Sequence, residues 1–131
     1  MIKLLEEILL EKQYESFTDP ATIEEIKAAE DALSLKFSDD YKLYLLLFGT
    51  VTFKSHELTG ICNNARLNVK DVTFFQRQYH PEFDTNLYVI EELNYDDCIV
   101  WQNKSGTVYE SSGLNKPQFL CDSLYEYIEL Q

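Results

Sequence analysis

The 131-residue sequence predicts an α+β fold, with N-terminal helices and a C-terminal helix packed on an antiparallel sheet of about five strands. Three observations carry this prediction. Apolar residues recur at helical spacing as far as Phe48. From Val51 the pattern changes to short β-branched and aromatic runs separated by turn residues. An amphipathic segment closes the chain. The length fits a single domain over residues 1–131, and a content of 45% hydrophobic and 14% aromatic residues suits a packed core.

Taken in order, Ile2 to Gln13 sets Ile2, Leu5, Ile8 and Leu9 on one face, with Glu6, Glu7, Glu11 and Lys12 elsewhere. Ser16 to Ala21, with Asp19-Pro20, reads as a connection. Thr22 and Glu25 form a capping box, and Ile23, Ile26, Ala29 and Leu33 make one apolar stripe. Ser38 caps a further helix. Asp39 and Asp40 lie in its first turn, where the helix dipole favours negative charge. Tyr41, Leu45 and Phe48 follow on one face, and Gly49 is suited to end the helix in the left-handed conformation. Val51 to Phe53 and His56 to Ile61 read as a hairpin turning at Lys54-Ser55. Val69, Val72, Phe75 and Tyr79 favour a helix that His80-Pro81 ends. Leu87 to Glu91, Cys98 to Gln102 and Thr107 to Glu110 read as a meander, with Asn94 to Asp97 and Ser105-Gly106 as its turns. Ser112 to Gln118 is loop-like. Asp122 or Ser123 caps a last helix that turns Leu124, Tyr127 and Ile128 inward.

The formal net charge is −12 and unevenly spread. Residues 1–40 hold eleven acids and four bases, residues 41–81 two and five, and residues 82–131 ten and two. Such a charge repels phosphate backbones, which disfavours direct nucleic-acid binding, and attracts a basic partner. The plainer reading is that it keeps a small cytosolic protein soluble. Cys62, Cys98 and Cys121 are odd in number and without paired spacing, which argues against a disulfide scaffold and for a reducing cytoplasm. Met1 to Leu10 already contains Glu6 and Glu7 and does not resemble a signal peptide. No apolar run approaches the roughly 20 residues of a membrane span.

The four glycines are isolated, so no phosphate-binding loop is expected. His56 and His80 stand alone and the cysteines share no ligand spacing, so neither a metal nor another cofactor is expected. A nucleophile pair of Cys62 with His56 or His80 would need contact in space. The acid pairs Asp39-Asp40, Glu91-Glu92 and Asp96-Asp97 are better explained by a helix start, by opposite faces of a strand and by a turn than by acid–base chemistry.

The acidic segment from Pro81 to Gln102 is more informative. It carries six acids and no Lys or Arg, interleaved with Tyr88, Tyr95 and Trp101. Aromatic anchors ringed by carboxylates suit a basic protein surface. Tyr88, Glu91, Glu92, Tyr95, Asp96, Asp97 and Trp101 are therefore the candidate partner-binding residues. The alternative is a half-buried meander with one solvated face and Trp101 in the core.

The positions Glu30, Leu33, Phe37, Asp39, Asp40, Tyr41, Leu45 and Gly49 resemble the N-terminal signature of the SUKH superfamily. That superfamily is named for a yeast regulator of cell-wall synthesis and includes many bacterial immunity proteins. Ser38 stands where the family commonly has Pro, and the usual Asn-Gly-Gly turn is reduced to Phe48-Gly49-Thr50. Downstream, the YVIEEL segment, a strand closing on Val-Tyr-Glu and a terminal helix opening Asp-Ser-Leu also resemble the family. The resemblance implies a helix after the first hairpin and a non-enzymatic protein. Its bacterial branch implies an immunity protein that neutralises a basic toxin domain, often a nuclease, and its eukaryotic branch implies an intracellular regulatory or scaffold module.

Overall fold

A computed structural model describes residues 2–16 and 18–131; the side chains of Ile2 and Lys3, and Phe17 within the first connection, lie outside the described residues. The elements are α1 (Ile2–Glu11), β1 (Glu15–Ser16), α2 (Ile23–Leu33), α3 (Asp39–Phe48), β2 (Val51–Phe53), β3 (His56–Glu57), α4 (Val69–Tyr79), β4 (Tyr88–Glu92), β5 (Cys98–Gln102), β6 (Val108–Ser112), β7 (Gln118–Cys121) and α5 (Leu124–Leu130). This is an α+β fold with two antiparallel sheets, ordered β1-β2-β3 and β4-β5-β6-β7.

Two strands escape the sequence pattern. Glu15–Ser16 is a polar pair that pairs with Val51 and Thr52, too short to show a period. Gln118–Cys121 follows Pro117 as a partly exposed edge strand. The strand expected from His56 to Ile61 stops at Glu57, because Thr59 turns to donate its N–H to Ile90 O at 2.9 Å.

The capping box at Thr22 and the Ser38 cap form as the sequence predicts: the Thr22 hydroxyl accepts Glu25 N–H at 3.1 Å, and the Ser38 hydroxyl accepts Tyr41 N–H at 3.2 Å. The buried stripe of α2 begins at Ile26, one turn later than predicted, and Ile23 is exposed. Gly49 does not take the left-handed helical conformation. It sits at φ 76°, ψ −129°, a region open essentially to glycine alone, where a Cβ would lie 2.6 Å from Thr18 O. The reason is the segment before α2, which crosses the end of α3. Ala21 N–H and the Ser16 hydroxyl there satisfy Leu45 O and Phe48 O, two carbonyls that the helix end leaves unpaired.

The main core lies between α1, α2, α3, α5 and the inner faces of both sheets, with Tyr41, Tyr44, Tyr88 and Tyr127 among its largest members. A second cluster, Val72, Phe83, Leu87, Val89, Ile99 and Trp101, fills the opposite face of the four-stranded sheet, beneath α4. That sheet is therefore buried on both sides along β4 and β5. A bulge between Val89 and Glu91 lets Ile90 and Glu91 follow one another on the main-core side. The outer edge of β4 is closed by side chains: the Thr73 hydroxyl accepts Val89 N–H at 3.0 Å, and the Thr59 hydroxyl donates to Val89 O at 2.8 Å.

Candidate functional site

Three of the seven predicted partner-binding residues are inside the protein: Tyr88 is 0%, Glu91 2% and Trp101 1% exposed. This corrects their assignment to a surface. Residues of β4 and β5 meet the main core on one face and the α4 cluster on the other, so from Tyr88 to Glu91 and from Cys98 to Gln102 these strands have no solvated side. The Tyr88 hydroxyl accepts Ser38 N–H at 2.9 Å and donates to Gln102 Oε1 at 2.8 Å. The Trp101 indole donates to the Ser111 hydroxyl at 2.9 Å and meets the rings of His80 and Phe83 edge-on.

Glu91 ties three elements together. Its carboxylate accepts the Tyr127 hydroxyl of α5 and the Glu57 N–H of β3, the latter at 3.0 Å. His56 Nδ1 lies 3.1 Å from each of its oxygens. Burial raises the Glu91 pKa above the ordinary carboxylate value, against the opposing pull of Tyr127, His56 and Glu57 N–H. Burial and the adjacent Glu91 push the Tyr127 hydroxyl far up as well. A histidine and a carboxylate thus do meet, as an enzyme would require. Yet the carboxylate has its donors in place and almost no exposed surface, so the cluster has the build of a structural clamp. Cys62 is elsewhere, its Sγ 3.6 Å from Asn64 O. His80 is buried and stacked on Phe83 at 4.4 Å between ring centroids. Among the described residues, no group of three or more His, Cys, Asp or Glu is placed to hold a metal ion.

The other four predicted residues form one accessible patch at the β4–β5 connection. Cys98 N–H donates to Tyr95 O at 3.0 Å and closes a turn whose central residues, Asp96 and Asp97, sit at φ 52° and 51°. Positive φ at both central positions is the geometry of a tight hairpin turn, and both aspartates are exposed at its tip. Tyr95 beside them is exposed, and Glu92 is half-buried, one of its oxygens accepting the Gln76 amide.

A groove of about 520 Å³ runs from this patch along α4. Phe75 and Tyr79 form its wall, with ring centroids 5.1 Å apart, and Leu114, 82% exposed, also lines it, next to Gly113, whose N–H donates to Asp97 O. Glu92, Asn94 and Asp97 rim it and Ile99 lies at its base. The sequence spacing groups Phe75 and Tyr79 with Val69 and Val72 as the residues that favour this helix. The structure buries Val69, Val72, Thr73 and Gln76 and exposes both rings. On a helix Phe75 stands about 120° from Val69, so the buried stripe cannot include it. The useful signal was the aromatic content left over once a true i, i+3, i+4, i+7 set is drawn.

Among the described residues, no helix is long and apolar enough to cross a membrane. A protein-family model, SUKH_5, described as SMI1-KNR4 cell-wall, matches residues 1–130. Comparison with curated proteins gives no match.

Proposed function

The chain belongs to the SUKH_5, SMI1-KNR4 cell-wall family, and from that premise we propose that it is a non-enzymatic immunity protein, acting as a single domain in the cytoplasm. Membership supports a protein-binding, immunity-type domain at the level of the family. The partner is a basic toxin domain, which the protein neutralises by covering its catalytic cleft. The observation that carries this reading is the outward Tyr95-Asp96-Asp97 turn, next to half-buried Glu92, on a chain of net charge −12. Aromatic and acidic groups presented together anchor and steer a basic surface, and association driven this way is fast and salt-sensitive. The non-enzymatic reading is supported by Glu91, whose carboxylate is occupied by its own protein donors.

The test is co-expression with the product of the adjacent gene, scoring rescue from toxicity and co-purification. Charge reversal at Glu92, Asp96 and Asp97 should slow association and lower its salt dependence. Affinity indifferent to salt and to these reversals would sink the electrostatic mechanism. A second reading is an intracellular regulatory module bound to an endogenous protein, toward which the cell-wall wording of the family description leans. It predicts no toxin gene alongside and no rescue.

A further inference from the structure

We propose that the groove between α4 and the β4–β5 hairpin receives an arginine side chain projecting from the partner protein. The inference rests on the protein-binding reading and names the group by which that partner docks. Phe75, Tyr79 and Leu114 each leave large apolar surface in water, and all three line one groove. Its rim carries the carboxylates of Glu92 and Asp97, and none of the groove-lining residues is Lys or Arg. One Glu92 oxygen is engaged by Gln76, while the other has no donor among the described residues. The groove therefore offers aromatic faces and acceptor oxygens together, with no Lys or Arg among its lining residues; Arg66, held bidentate by Glu57, stands on the other side of Glu92 and Phe75.

A guanidinium fits both halves of that description. It is planar and weakly hydrated, stacks on aromatic faces, and forks its N–H donors onto carboxylates. A lysine ammonium is more strongly hydrated and lacks the flat face. A purely apolar anchor would leave the rim carboxylates without partners. The same helix already shows the pairing internally, with the Arg77 guanidinium 5.8 Å from the centroid of Phe74.

The test uses the whole 131-residue chain, isotope-labelled for NMR. It is titrated with acetyl-Gly-Leu-Arg-Leu-Gly-amide and with the same peptide carrying citrulline, the uncharged isostere of arginine. The arginine peptide should shift the amides of Gln76, Asn94 and Gly113 saturably. The citrulline peptide, and the arginine peptide against Tyr79→Ala or Asp97→Asn, should each bind about two- to fivefold more weakly. Tyr79 and Asp97 are exposed, so both variants should keep a folded spectrum. Equal affinity for the two peptides, shifts on another face, or folded variants that bind as the parent does would each overturn the assignment. A protein that takes the arginine peptide yet neither rescues nor co-purifies with its neighbour keeps the groove and loses the immunity reading. One that rescues but ignores the peptide does the reverse.

Discussion

The carboxylate of Asp40 accepts the backbone N–H of Leu124 at 2.7 Å, across 84 residues of chain. Asp40 lies in the first turn of α3, yet it serves the first turn of α5. Its other oxygen accepts the Gln102 amide at 3.1 Å and the Ser38 hydroxyl. One buried carboxylate therefore locks two helix starts to the central strand β5. Asp40→Ala should lower the unfolding free energy by about 3 kcal/mol, because it strands several buried donors at once. Asp39→Ala, at an exposed side chain, should stay within about 0.5 kcal/mol. Urea unfolding of the two variants measures the contrast, and equal effects would refute it.

Glu91 gives the protein a pH dependence of unusual sign. Its folded pKa is raised above the ordinary 4.5, so the folded state holds its proton more tightly than the unfolded chain does. Its contribution to stability is then fully present below that ordinary value and is lost as pH rises through the folded pKa. The difference in unfolding free energy between parent and Glu91→Gln should move in favour of the variant across the window opening just above pH 4.5, and level off beyond it. A pH series of urea midpoints on both proteins, read in the acid range where the carboxylate titrates, measures this difference. A difference that is flat or moves the other way would contradict it.

Glycine is required at position 49 and merely convenient at 113. A methyl group on Gly49 would sit 2.6 and 2.8 Å from the carbonyl oxygens of Thr18 and Asp19, at a φ of 76°. At Gly113, φ is 57° and nothing lies within 4 Å. Gly49→Ala should cost about 3 kcal/mol or more, through clash and strain together. Gly113→Ala should cost about 1 kcal/mol, the left-handed penalty alone. Thermal and urea unfolding rank the two directly.

The acidic turn is not optimised for stability. Asp96 and Asp97 both hold positive φ, where Asn-Gly is the favoured pair. Asp97→Gly should stabilise the fold by about 0.5 kcal/mol and weaken any partner that reads the carboxylate. Measuring both quantities on the same variant shows whether the aspartates serve recognition. Higher stability with undiminished binding would remove them from the interface.

Much of this architecture is legible in the sequence, because helix caps are local. Thr22 with Glu25, Ser38 with Tyr41 N–H, and the bounds of α4 and β5 each follow from a few neighbouring residues. What was not legible depends on a second layer. Tyr88 and Trp101 look alike in sequence to exposed Tyr95, and only the placement of α4 over one sheet face buries Trp101 there. Sequence spacing assigns Asp40 to its own helix; the distant N–H it accepts leaves no trace there. The acidic character of the hairpin was visible, but the groove needed Phe75, Tyr79 and Leu114 to be seen together across 39 residues of chain.

The four-stranded sheet runs β4-β5-β6-β7 in the order of the chain. Each pairing closes only a short loop, so residues 88–121 can zip up hairpin by hairpin at little entropic cost. The Asp40–Leu124 contact, by contrast, must close 84 residues. A meander that assembles early and a latch that engages late would partition the effect of mutations unevenly. Loss of Asp40 would then speed unfolding and leave the folding rate nearly untouched. Its carboxylate would set how long the folded protein lasts more than how quickly it forms.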